Sequence, residues 1–227
     1  MTLMDRRRAL IVATAKDWKN NYVQNGLIFW LDGKTAVDSN AWTDIIGNRV
    51  FTLTNCQANS NGVYFNGTSA YGVCNSNNID GQTIEASYSL DGTNHAVAVF
   101  GQYNREDKQY IILLRAHDTG NIYTRATNNT DPCKKYPLQQ TEIISAYFGG
   151  SNAVVNGNQT ESSTINKGFI GVANSLVIGR PDLTSSYAWA LKGTLHSVRI
   201  YNRFLTAEEI SQNQRSDDKR FNLGVFA

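Results

Sequence analysis

The residues able to do chemistry in this chain are scattered, and their spacing excludes more reactions than it suggests. Glycosidic hydrolysis needs two carboxyl groups facing one cleft, roughly 5 Å apart for retention and about 6.5–9.5 Å for inversion. Glu85 sits in the strand-like run Thr83–Ser89, where its same-face neighbours Thr83, Ser87 and Ser89 offer no second carboxylate. Glu142 opens another such run, and Glu106 with Asp107 falls in a polar turn that reads as a solvated loop. His95, His117 and His196 lie far apart, and there is no HExxH, GxSxG or phosphate-cradling glycine loop. Cys56, Cys74 and Cys133 form an odd set without CxxC spacing, so reduced thiols are the expected state, with one bridge left open.

Binding chemistry is better represented. Sugar rings present apolar faces that stack on aromatic side chains, and their hydroxyls pair with planar amides and carboxylates. Both kinds of residue occur together at turns: Trp42 with Asp44 and Asn48, Tyr71 after Asn66, Tyr103 with Asn104 and Arg105, and Tyr187 with Trp189 near Asp182. The competing reading for each aromatic is simple packing over the edge of a core. Trp30, inside the apolar run GLIFWLDG, reads as core.

The chain has 227 residues, a formal net charge of +2 and 41% hydrophobic residues, which suits one domain with a full core. So small a charge does not recruit nucleic acid by itself. No stretch approaches the roughly 20 apolar residues that a membrane span needs, so no membrane insertion is expected. Arg6, Arg7 and Arg8 precede ALIVATA, but the apolar part is shorter than a signal-peptide core. Met4, Ile11, Ala15, Trp18 and Tyr22 recur at helical spacing, which predicts an amphipathic N-terminal helix over 1–24 that stays on the chain.

The elements that must position these residues are mostly strands. Runs at 83–89, 96–101, 110–115, 121–125, 142–148 and 153–155 are rich in β-branched and aromatic residues and are separated by Gly, Asn or Asp. Asn156-Gly157 is the strongest short hairpin signal. The most informative run is GTLHSVRIYNRFLTAEEI, 193–210. Its first half alternates, with His196, Val198 and Ile200 on one face and Leu195, Ser197, Arg199 and Tyr201 on the other. Thr206 with Glu209 forms a capping box, and Leu205 with Ile210 a hydrophobic staple, so a helix begins at Ala207.

Strand, Tyr-Asn-Arg turn, staple and helix in this order resemble the closing motif of the laminin-G-like, concanavalin A-like lectin/glucanase jelly-roll domains. VYFNGTSAYGVC resembles that family's Phe-Asp-Gly segment, with Asn66 where an aspartate is common. The resemblance runs from about Gly26 to about Ile210. It implies an all-β, antiparallel two-sheet jelly-roll sandwich over 25–227, flanked by the N-terminal helix and a short C-terminal helix from about 206.

For function, the resemblance implies a non-catalytic carbohydrate-binding or adhesion module of the lectin type, outside the cell or on a virion surface. Its partner would be a glycan or cell-surface carbohydrate, met through Trp42, Asp44, Tyr71, Tyr103, Asp182, Tyr187 and Trp189. A second reading is a structural virion or surface-assembly protein, a fibre, tail or head decoration that homo-oligomerises through the N-terminal helix. A weaker third is a glycoside hydrolase. No cofactor is required, although many relatives hold calcium through an aspartate near the first strand and oxygens near the last. Asp32 fits the first position, whereas His196, a poor calcium ligand, stands where the family has an acidic residue.

Overall fold

A computed structural model describes residues 18–35, 37–76, 79–93, 97–103, 110–115, 120, 122–126, 136–147, 153–160, 174–180 and 189–226. Two antiparallel sheets pack face to face. The first has the order β13 (Asn158–Gln159), β12 (Ala153–Val155), β11 (Thr141–Tyr147), β7 (Thr83–Leu90), β15 (Lys192–Tyr201), β5 (Gly62–Asn66), β4 (Gln57–Asn59), with β1 (Leu27–Asp32) also paired to β15. The second runs β10 (Ile122–Ala126), β9 (Tyr110–Arg115), β8 (Val97–Tyr103), β14 (Ser175–Ile178), β6 (Tyr71–Cys74), β3 (Val50–Thr54), β2 (Ala41–Thr43). Alternate residues of both sheets, among them Phe29, Phe51, Phe65, Phe100, Ile144, Leu176 and Val198, fill the space between them.

β15 is the centre of the first sheet and departs from the simple alternation its sequence suggests. Leu195 pairs with Tyr88 and Ser197 with Ser87, so His196 is an extra residue bulged out of the ladder. The bulge divides the strand's free edge: Lys192–Leu195 pair with β5, and Ser197–Tyr201 pair with β1. It also resets the faces. Leu195 joins Val198 and Ile200 in the core, while His196 turns outward to stack on Phe221.

The C-terminal helix, α1 (Ala207–Phe221), begins where the capping box predicts. Thr206 accepts from the Glu209 amide, and the Glu209 side chain reaches back to the Thr206 amide. Leu205 and Ile210 close the staple, buried with Val23 and Tyr201 on the outer side of the first sheet. Asn156 and Gly157, at φ 51° and 79°, make the left-handed pair that turns β12 into β13.

The N-terminal helix is corrected: Trp18–Asn21 form a single 3-10 turn, and the chain then enters β1. Tyr22 and Val23 pack against α1 and β15 rather than forming a free stripe; the Tyr22 hydroxyl donates to Asp217, and the Val23 amide donates to Asn213. Met4, Ile11 and Ala15, which with Trp18 and Tyr22 form the stripe on which the assembly reading rests, lie outside the described residues. Cys56 and Cys74 are free thiols, and Cys133 lies outside the described residues. No described helix is long and apolar enough to cross a membrane.

Candidate functional site

The two carboxylates on which hydrolysis would rest are held apart by the sheet itself. Ser145 pairs with Glu85 across β11 and β7, and Glu142 pairs with Tyr88, three residues further along β7. Successive strand residues alternate faces, so Glu85 and Glu142 point to opposite sides of the sheet. Glu142 lies inward, where it accepts from the Tyr88 hydroxyl and the Gln139 amide.

Glu85 lies outward, fully buried beneath α1 in a polar layer. Its carboxylate accepts from Arg199 Nε at 3.1 Å, Asn213 Nδ2 at 2.8 Å and Ser145 Oγ at 2.9 Å. The Arg199 guanidinium also grips Asp217 of α1 with two bonds of 2.7 and 2.8 Å, and it lies over the rings of Tyr22 and Trp30 at 4.6 and 5.6 Å. Burial raises the Glu85 carboxyl above its ordinary range against the opposing pull of Arg199. The two carboxylates keep Arg199 charged in spite of its burial. Trp30 is buried as expected, but in this outer layer, against Trp18 and Tyr22. The layer fastens helix to sheet and presents no carboxylate to solvent.

Asp32, the expected calcium aspartate, is buried and receives the Arg220 guanidinium with two bonds of 2.7 Å and the Lys34 amide at 3.0 Å. Its charge is already balanced by a cation of the chain itself. His196 is buried, with Nδ1 against the Asn61 carbonyl at 2.7 Å and Nε2 against Ser89 Oγ at 3.0 Å, and burial lowers its pKa below the ordinary 6.5. Among the described residues, no three His, Cys, Asp or Glu side chains gather to hold a metal ion. Burial raises the Cys56 thiol to about 12 and also raises Cys74, so neither is a nucleophile at neutral pH.

Two of the expected ligand residues prove to be structural. Trp42 is fully buried in the core, and its indole N–H donates to the Asp32 carbonyl. Asp44 is fully buried and accepts from the Trp30 and Ile46 amides and from Arg49 at 2.7 Å. Both hold the β1–β2 connection. Tyr103 ends β8, paired with Ser175 and Tyr110. Asp182 and Tyr187 lie outside the described residues.

Tyr71 and Trp189 lie on segments that backbone bonds gather at one edge, where Tyr71 meets Arg180, a residue the sequence did not single out. The Gly67 amide donates to the Leu191 carbonyl at 2.9 Å, and the Leu191 amide donates to the Gly179 carbonyl at 2.8 Å. These bonds tie three loops to one edge of the sandwich. There Arg180 lays its guanidinium over the Tyr71 ring at 5.0 Å, and Trp189 is 36% exposed. Asn66 organises the first loop, its Oδ1 accepting from the amides of Thr68, Ser69 and Ala70. A tyrosine ring held by a guanidinium, on the same edge as an exposed indole, offers flat apolar faces of the kind on which a saccharide ring stacks.

The fold is a jelly-roll sandwich of concanavalin A-like type. The profile of the concanavalin A-like lectin/glucanase superfamily matches residues 66–211, well over half of the chain, and the chain belongs to that superfamily. A comparison with curated proteins finds no match. Among solved structures, a Trypanosoma rangeli sialidase in complex with sialic acid is similar over 94% of this chain and 39% of its own, with 16% identity and a TM-score of 0.65. Domain 4 of AbnA, a GH43 extracellular arabinanase from Geobacillus stearothermophilus, in complex with arabinotriose, is similar over 85% of this chain and the whole of its own, with 15% identity and a TM-score of 0.60. The chain therefore spans less than half of the sialidase but all of the isolated arabinanase domain.

Proposed function

We propose that this chain is a non-catalytic carbohydrate-binding module that meets saccharides at the Tyr71–Arg180–Trp189 edge. The observation that carries the reading is the full-length likeness to a separate arabinanase domain that holds arabinotriose. The opposite faces of Glu85 and Glu142, and the packing of Glu85 beneath α1, support binding without hydrolysis. Aromatic stacking supplies affinity, with the Arg180 guanidinium holding the Tyr71 ring in place.

A glycan array followed by calorimetry tests this. Trp189→Ala and Arg180→Gln should each weaken the best neutral ligand by about tenfold, the scale on which a central aromatic or arginine anchor contributes. The reading fails if no glycan binds at millimolar protein, or if Trp189→Ala binds as tightly as the parent.

A further inference from the structure

A second concavity lies over the other sheet and contains none of the residues of the Tyr71–Trp189 edge. It has a volume of about 520 Å³, and the 3-10 turn and α1 form its walls, with Trp18, Tyr22, Lys34, Arg215, Lys219 and Arg220 among its lining. Four of these six side chains are cations drawn from three places in the sequence. Arg220 is neutralised by Asp32, and its guanidinium lies 3.4 Å from the centre of the Trp18 ring. Lys34 donates to the Arg220 carbonyl at 2.7 Å, and Arg215 lies over the Phe226 ring at 5.2 Å. Among the described residues, no carboxylate pairs with Lys34, Arg215 or Lys219.

The acidic groups nearby are engaged elsewhere. Asp217 is held by Arg199 and Tyr22, and Asp218 accepts from the Val225 and Phe226 amides. Preference of cations for a helix C-terminus accounts for Lys219 and Arg220. It accounts neither for Lys34, in the turn after β1, nor for Arg215, a turn and more earlier in α1. Three cations without a carboxylate partner, around a concavity lined also by Trp18 and Tyr22, form a focused positive field. Residues 1–17 are a poor occupant on charge, because they carry four basic and two acidic side chains.

We infer that this cleft binds an anionic group, the carboxylate or sulfate ester of an acidic saccharide. The anion rests on the cleft's own charges; the saccharide as its carrier rests on the carbohydrate-binding reading above. A pocket rather than a stripe, on a chain of net charge +2, suits a single acidic residue of a glycan better than a polyanion tracked along its length.

Calorimetry on the full chain, with four probes, tests this: a sulfated hexasaccharide, a hexagalacturonate, an uncharged hexasaccharide and inorganic sulfate. Arg215→Gln with Lys219→Gln should weaken the acidic hexasaccharides about tenfold, as expected for losing two exposed charge contacts. A charge-matched control, Ser39→Glu with Gln57→Glu, should change them less than twofold. Trp189→Ala should leave the acidic probes unaffected, so this site and the edge site fail separately. Stronger binding of the sulfated probe assigns a sulfate ester, and stronger binding of the galacturonate assigns a carboxylate. The inference is overturned if neither acidic probe binds, if the control weakens binding as much as the double variant, or if inorganic sulfate competes as well as the hexasaccharides. A single-stranded oligonucleotide of equal charge that binds more tightly would overturn the saccharide as carrier.

Discussion

Replacing Arg199 with Met should unseat α1 from the sheet. Among the described residues, Arg199 is the one cation between Glu85 and Asp217, and both carboxylates are fully buried. Removing one member of a buried ion pair costs about 3–5 kcal/mol, because the partner charge stays buried and unbalanced. Here two carboxylates lose their common partner, so the upper half of that range applies. For a domain with a total stability of order 5–15 kcal/mol, the urea midpoint should fall by about 1.5 M. Adding Glu85→Gln and Asp217→Asn to Arg199→Met should recover at least about half of the loss, since amides keep acceptors and carry no charge. Arg199→Lys should fall between parent and Met, because lysine keeps the charge but loses the two-bond grip. The sign with pH is fixed. Without Arg199, the Glu85 carboxyl, already raised by burial, loses the pull that opposes that rise and climbs further, so stability is greatest below the ordinary carboxylate range and is lost as pH climbs through the raised value. The deficit of Arg199→Met is therefore larger at pH 8 than at pH 5. Urea titrations followed by tryptophan fluorescence at the two pH values measure this. A midpoint shift below about 0.3 M, or a deficit that grows toward acid, would refute the reasoning.

Other outcomes follow from single contacts. Thr206→Ala removes the acceptor of the capping box and should cost about 1 kcal/mol in urea unfolding, with Thr206→Ser close to the parent. His196 is held neutral with its pKa lowered, so its contribution is present above the ordinary 6.5 and is lost as pH falls through the lower folded value. Thermal melts should accordingly fall less steeply from pH 7 to pH 5 in His196→Gln than in the parent. Gly193 has φ 144°, and a Cβ there would collide with the Ser89 carbonyl oxygen, so Gly193→Ala should lose more than about 2 kcal/mol in the same urea assay. Asp32→Asn leaves Arg220 without its carboxylate and should lower the melting temperature equally with added calcium and with a chelator.

Much of this architecture is legible locally. The capping box, the staple and the Asn156-Gly157 turn are each decided within a few residues, so their sequence signals translate directly into geometry. The bulge at His196 is not, because Leu195-His196-Ser197 reads as unbroken alternation. Only the need to serve β5 on one side of the bulge and β1 on the other shows why a residue is looped out. Trp42 beside Asp44 looks like an exposed recognition pair. It packs inward because an edge strand still contributes one face to the core, and the partner of its indole, the Asp32 carbonyl, is supplied by a different strand. Arg180 carries no such local signal, because nothing in its flanking sequence reveals that β6 brings Tyr71 beneath it. The basic cleft has no local signal either, since Lys34 and Lys219 come to line one concavity only once β1 and α1 have docked on the same sheet.

The placement of β15 also sets the order in which the molecule can be completed. This strand pairs with β1, β5 and β7, all in the first 90 residues of the chain, yet it is reached only at residue 192. At a synthesis rate of about 5–20 residues per second, those partners wait for several seconds or more after they emerge. Until then β5 and β7 lack their shared neighbour. Such long-range pairing makes for slow closure, and the waiting edges are open to strands of other chains. The sheet's keystone is thus the last strand to be delivered, and the interval before its arrival is when the nascent chain is most exposed to misassembly.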